Sequence, residues 1–179
     1  MARAGAAAVG LPGDADCAIW FRRGRRGPIK ALLQRVTRAS VVNADTGDVL
    51  GAIDGGLVVL VCADPDDTAD DCAFFARKIA AMRLFEDDAG KMNRSVLDVG
   101  GKVLAVSQFT LAADWRRGNR PGFSRAADPE TAERFYELFC DNLREQGVEV
   151  ETGRFRTAMQ VELVNDGPVT IWMDSNGPA

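Results

Sequence analysis

The sequence predicts an α+β fold built on mixed β-sheet, in a single domain. Segments with strand character outnumber those with helical character, and the helical ones fall in two separated blocks rather than alternating with strands. The chain has 179 residues, 46% hydrophobic and 27% charged, enough to bury one core as one domain. A sheet with helices on one face leaves the other face in need of cover, which a partner subunit can supply.

Met1 to Ile29 differs in texture from the rest. It holds an Ala-rich stretch at 4–8 and an arginine run at Arg22, Arg23, Arg25 and Arg26 closed by Gly27-Pro28. It is expected to be a disordered extension or the product of a start assigned too far upstream, with an RNA-contacting basic arm as the alternative. Most of its arginines follow the small Ala-rich patch, the wrong order for a signal peptide, so the chain is expected to be cytoplasmic. The domain is placed at 30–175 and a C-terminal tail at 176–179.

From Lys30 the elements follow in order. Leu32 to Val42 and Val49 to Ile53 flank the turn Asp45-Thr46-Gly47-Asp48 and predict a hairpin. Leu57 to Val61 is a continuous apolar run of the length of a strand buried on both faces. The Asp-rich stretch 64–71 supplies N-cap candidates and first-turn carboxylates, and Cys72, Phe75, Ile79 and Met82 follow at helical spacing. Beyond the turn 87–90 the pattern is weak until Lys102 to Val106, a second buried strand ending in Ser107-Gln108-Phe109-Thr110-Leu111. Asp128 as N-cap, Pro129 at N1, an apolar stripe of Ala132, Phe135, Tyr136, Phe139, Cys140 and Leu143, and Gly147 as C′ define a second helix. Alternation predicts two closing strands, 160–164 and 169–173, separated by a turn at Asn165-Asp166-Gly167-Pro168.

Composition narrows the chemistry. There is no histidine, which removes the Ser-His-Asp triad, the Cys-His dyad and any His-ligated metal. Cys17, Cys62, Cys72 and Cys140 form no C-x-x-C pair and are expected to be reduced, with Cys72 and Cys140 packed in the core. No stretch approaches the ~20 apolar residues of a membrane helix. The net charge is −4, and without residues 1–29 it is about −7, so any nucleic-acid contact must be local rather than spread over a basic surface.

Hydroxyls, carboxylates, lysine, backbone amides or the substrate itself must then carry any catalysis. Ser107 and Thr110 stand where a buried strand ends and can face a cleft, although such residues at a strand end are also ordinary structure. The loop Trp115 to Arg125 contains Arg116, Arg117, Arg120 and Arg125 with two aromatics, a composition suited to phosphate and unpaired bases or, equally, to a solvated loop. Gly167-Pro168 is by itself a turn signal, though a glycine also lets bare backbone approach a ligand.

Taken together, Gln34-Arg35-Val36-Thr37-Arg38-Ala39-Ser40-Val41, Ser107-Gln108-Phe109-Thr110-Leu111, Asn119-Arg120-Pro121 with Phe123, Thr152-Gly153-Arg154-Phe155, Met159-Gln160-Val161 and Asn165 to Thr170 resemble the D-aminoacyl-tRNA deacylase family, in the family's order and over about 30–175. The resemblance implies a three-layer β/β/α domain, a homodimer, and hydrolysis of the ester between a D-amino acid and the 3′ adenosine of tRNA, with no metal or organic cofactor. It implies that Ser107, Gln108, Phe109 and Thr110 form the catalytic floor and that a cis Gly167-Pro168 from the other subunit completes the site. It also implies that Arg35 supports that motif, and that Phe123 and Met159 lie near the adenosine pocket. Arg116, Arg117 and Arg120 are then the tRNA-binding residues. The same resemblance leaves two alternatives. One is a related deacylase for a mischarged L-amino acid, against which the intact Ser107 to Thr110 segment argues. The other is a non-catalytic dimeric nucleic-acid-binding module that uses the arginine loop.

Overall fold

Strand β1 (Lys30–Asn43) organises the sheet, because its 14 residues are long enough to serve several neighbours. Along one edge its first half pairs antiparallel with β3 (Gly56–Cys62) and its second half with β2 (Val49–Ile53). Along the other edge it pairs with β8 (Met159–Asp174) almost from end to end. Beyond β3 the sheet continues in parallel through β6 (Lys102–Ser107) and β7 (Glu149–Thr152), so it is mixed, as expected. The computed structural model describes residues 29–174 apart from Arg117. The expected extension, save Ile29, and the tail 176–179 lie outside the described residues, as do Cys17, Arg117 and Ser175.

The apolar run of β3 is buried on both faces. Leu57, Val59 and Val61 point into a core shared with the helices, and Val58 points into a second core with Val36, Ala39, Val41, Ile53, Leu104 and Val106. β6 divides its side chains in the same way, Val103 and Ala105 to the first core, Leu104 and Val106 to the second. A period of two distributes one strand between two cores.

Helix α1 (Ala69–Ala81) begins in a capping box: Thr68 accepts from the Asp71 backbone N–H, and the Asp71 carboxylate accepts from Thr68. The cap is therefore Thr68 rather than one of the neighbouring aspartates. Helix α2 (Pro129–Glu145) starts as the sequence predicts, with the Asp128 carboxylate accepting from the Glu130 and Thr131 amides. It ends before Gly147 at φ 88°. Phe139 and Leu143 are fully buried against the sheet, each worth roughly 1.5–3 kcal/mol. Tyr136 donates its hydroxyl to the Ala105 carbonyl at 2.9 Å, tying the helix to β6. Cys62, Cys72 and Cys140 are all buried, and burial pushes their thiols up to about 11, 12 and 11, so they act as small core residues.

Three expectations need correction. The two closing strands are one, β8, and the segment 165–168 is not a chain reversal. β1 is long enough to pair with both halves, so the Asn-Asp-Gly-Pro signal is absorbed as an irregularity, in which two steps along β1 match five along β8. The turn at 87–90 joins a small hairpin of β4 (Phe85–Glu86) and β5 (Met92–Arg94), the latter in the region of weak pattern, and Glu149 to Thr152 adds β7; each is too short for a periodic signal. No described peptide bond is cis, so Gly167-Pro168 is trans, the lower-energy isomer by about 0.5–1 kcal/mol. Gly167 instead turns the backbone with φ 112°.

Candidate active site

β6 ends at Ser107, and the chain bends into a 3₁₀ turn, Phe109–Ala112. The Gln108 amide donates to the Val61 carbonyl at 2.8 Å, fixing the bend to the end of β3. The Gln108 side-chain amide donates to Thr110 Oγ1, so the two polar side chains of the segment restrain each other. The first amides of a helical turn have no acceptor within it, and here they belong to Phe109 and Thr110.

This bend forms one end of a cavity of about 560 Å³. Ser107 lines it from the end of β6, Gln108 and Phe109 from the bend, Pro129, Ala132 and Tyr136 from α2, and Gly153 to Thr157 from the loop after β7. Phe123 and Met159 also line it, and the Phe109 and Phe123 rings meet edge to face at 5.1 Å. The charged residues of the lining are Arg154 and Arg156; it contains no carboxylate, although the chain as a whole is acidic. Burial pushes the Tyr136 phenol upward, leaving it a fixed donor rather than a proton shuttle.

The structure thus brings together five of the residues singled out from sequence: Ser107, Gln108, Phe109, Phe123 and Met159. Thr110 stands next to the lining, exposed on the 3₁₀ turn. Gly167 and Pro168 are exposed on β8 and do not line the cavity of their own chain. Arg35 holds that segment from below: buried, it donates from Nε to the Asp166 carbonyl at 3.3 Å and pairs with the Asp166 carboxylate at 3.0 Å. Its Nη1 donates to the Leu84 carbonyl at 2.6 Å, and its Nη2 lies 2.7 Å from where a Cβ on Gly167 would sit. Arg116 and Arg120 are exposed on a loop closed by paired backbone hydrogen bonds between Asp114 and Gly122, outside the cavity lining. Tyr136, expected only in the apolar stripe of the helix, Arg154 and Phe155, which carry part of the resemblance, and Arg156 also line the cavity, although the sequence had marked none of them as a site residue. The alternation Arg154-Phe155-Arg156 carries the same arginine-aromatic signal that drew attention to 115–125.

Among the described residues no group of three or more His, Cys, Asp or Glu side chains is placed to hold a metal, and no helix is long and apolar enough to cross a membrane. Hydroxyls, side-chain amides and backbone groups thus stand around an aromatic, arginine-bearing cavity that contains no histidine. Residues 32–174 match the model of the D-Tyr-tRNA(Tyr) deacylase family, and the chain belongs to that family, whose members are hydrolases. It is 60% identical over 146 residues to a D-aminoacyl-tRNA deacylase of Ruegeria pomeroyi, covering 82% of this chain and 99% of that protein, and equally to one of Dinoroseobacter shibae. A solved c-Myc DNA Unwinding Element Binding Protein superposes with a TM-score of 0.75 at 42% identity, over 84% of this chain and 99% of the other. A probable eukaryotic D-amino acid tRNA deacylase gives 0.72 at 16% identity, over 82% and 99%, a likeness of fold.

Proposed function

We propose that the chain is a cytoplasmic homodimer that hydrolyses the ester of D-aminoacyl-tRNA, releasing the D-amino acid and tRNA and sparing the L ester. The observation that carries this is the cavity at the end of β6, where Ser107, Gln108 and Phe109 meet aromatic walls and arginines in a chain of this family. We place the domain at 30–175, in three β/β/α layers; support comes from the second core, in which Val41 of β1 and Ile53 of β2 pack with Leu104 and Val106 of β6.

Water attacks the ester carbonyl, the amides of Phe109 and Thr110 hold the developing oxyanion, and the ribose 3′ oxygen leaves with a proton. One such amide donor is worth ~10²–10³ in rate. No histidine is present to activate Thr110 as a nucleophile, so the neighbouring ribose 2′-OH assists the water instead. Phe123 and Met159 take the adenosine, and Arg116, Arg117 and Arg120 take phosphates of the acceptor end.

Selectivity must be set at Cα, because a pocket tuned to side chains gains only ~1–3 kcal/mol per methylene and many D side chains must pass. Backbone carbonyls of Gly167-Pro168 from the partner fill the space an L side chain needs, and Arg35 keeps each clamp in position. Support for the dimer comes from β8, which pairs with β1 alone among the described strands and exposes Val161, Val164 and Trp172.

The mechanism is tested with D-tyrosyl-tRNA ending in adenosine or 2′-deoxyadenosine. The account expects rapid hydrolysis of the first, failure of the second, and retention of most activity in Thr110→Ala. Inactivation by Thr110→Ala with the deoxy ester still cleaved would contradict it. A second reading, a nucleic-acid-binding module without turnover, draws on the name of the 42%-identical structure. It predicts no hydrolysis and binding with a steep salt slope, which a chain of net charge −4 is poorly built to provide.

A further inference from the structure

Arg156 has φ 56°, the left-handed region, and is the one non-glycine residue there among the described residues. That conformation crowds the Cβ of an L residue against the backbone and is unfavourable for a side chain as large as arginine. The turn that imposes it is held from several sides. The Met159 sulfur accepts from the Arg154 amide at 3.4 Å and lies 2.7 Å from where a Cβ on Gly153 would sit, so the close approach needs glycine. Thr157 Oγ1 donates to the Phe155 carbonyl at 3.4 Å, within the same turn. Arg154 and Arg156 are both exposed and both line the cavity, whose own lining holds no carboxylate; Arg154 also lines the adjoining groove with Glu133, Glu137 and Asp141, but among the described residues neither arginine is held in an ion pair.

We infer that Arg154 and Arg156 form a phosphate clamp at the rim of the cavity, binding the phosphodiester that precedes the terminal nucleoside of the substrate. The inference rests on the cavity receiving the tRNA 3′ end. Arginine suits the task because its fork gives two parallel hydrogen bonds to phosphate oxygens, and neither fork is engaged in an ion pair among the described residues. The left-handed backbone at Arg156 fixes the direction in which its side chain leaves the turn, and its cost is of the kind carried at ligand-binding sites. The aromatic walls hold the base and sugar, and the clamp adds affinity that a free nucleoside ester cannot draw on.

Arg156→Gly separates this role from a structural one, because glycine adopts φ 56° without strain. The variant should melt higher, by about 2–4 °C, and yet handle tRNA less well. Its KM for D-tyrosyl-tRNA should rise about tenfold, several-fold more than its KM for the D-tyrosyl ester of adenosine, which has no phosphate. Equilibrium binding of uncharged tRNA needs no turnover, so it reads the clamp even if neither ester is hydrolysed. Its salt slope should fall by about one in Arg156→Gly and about two in Arg154→Ala/Arg156→Gly. An unchanged slope in both variants, or equal KM increases for tRNA and adenosine ester, would overturn the clamp. Failure of the wild-type chain to hydrolyse either ester would overturn the deacylase reading instead.

Discussion

Replacing Arg35 by lysine keeps the charge and removes the fork. The guanidinium bonds to Leu84 through Nη1 and to both the carbonyl and carboxylate of Asp166 through Nε, from a site 6% exposed. A lysine ammonium is a single point on a flexible stem and cannot span both partners, so one of them loses its donor. Charge-assisted bonds contribute about 1.5–3 kcal/mol each, and Asp166 is half exposed and partly rescued by water. The Glu86 contact, at 3.9 Å and largely solvated, adds little. The net loss is therefore about 2–3 kcal/mol, a sizeable part of a typical 5–15 kcal/mol stability. Urea unfolding reads that loss. In deacylation assays the same variant should lose selectivity, hydrolysing L-tyrosyl-tRNA faster relative to the D ester as the 166–168 segment loosens. Stability within about 0.5 kcal/mol of wild type together with an unchanged D/L ratio would refute the reasoning.

Gly167→Ala places a methyl 2.7 Å from Arg35 Nη2 and 2.9 Å from Val169 Cγ2 at φ 112°, so it should reduce both D-ester turnover and stability; wild-type values in both measurements would contradict the close packing. Burial pushes the Asp67 carboxyl up to about 7 from 3.8, with Asp71 and Asp64 adding to the shift. The folded chain then keeps a proton the unfolded chain releases, so this stabilisation is complete below about pH 4 and lost as pH rises through about 7. Asp67→Asn does not titrate, and its stability relative to wild type should grow by up to about 4 kcal/mol between pH 4 and 8 in urea titrations; a difference independent of pH would contradict it. Glycyl-tRNA offers no side chain to reject and should be hydrolysed; complete inertness of that ester would count against a clamp acting at Cα.

The strong periodic elements were legible because burial imposes their pattern. Leu57 to Val61 and the stripe from Ala132 to Leu143 needed no knowledge of their neighbours. Asn165 to Pro168 misled because a turn composition reports local preference, whereas the long β1 decides whether the chain reverses. β4, β5 and β7 are shorter than the window in which alternation can be recognised. At the site, the Ser107 to Thr110 segment was visible as polar residues closing a buried strand. Its partnership with Tyr136 and Phe155 depends on α2 crossing the end of β6, which no local spacing encodes. Arg156 offered an arginine-aromatic alternation with Phe155 and Arg154, but the left-handed backbone that sets it apart is an angle no residue type announces.

The most direct test of the account is the rate of deacylation of matched D- and L-tyrosyl-tRNA by the purified, chelator-treated protein. The account predicts rapid loss of the D ester while the L ester persists at its uncatalysed rate. Equal rates for the two esters, or no hydrolysis of either, would contradict it.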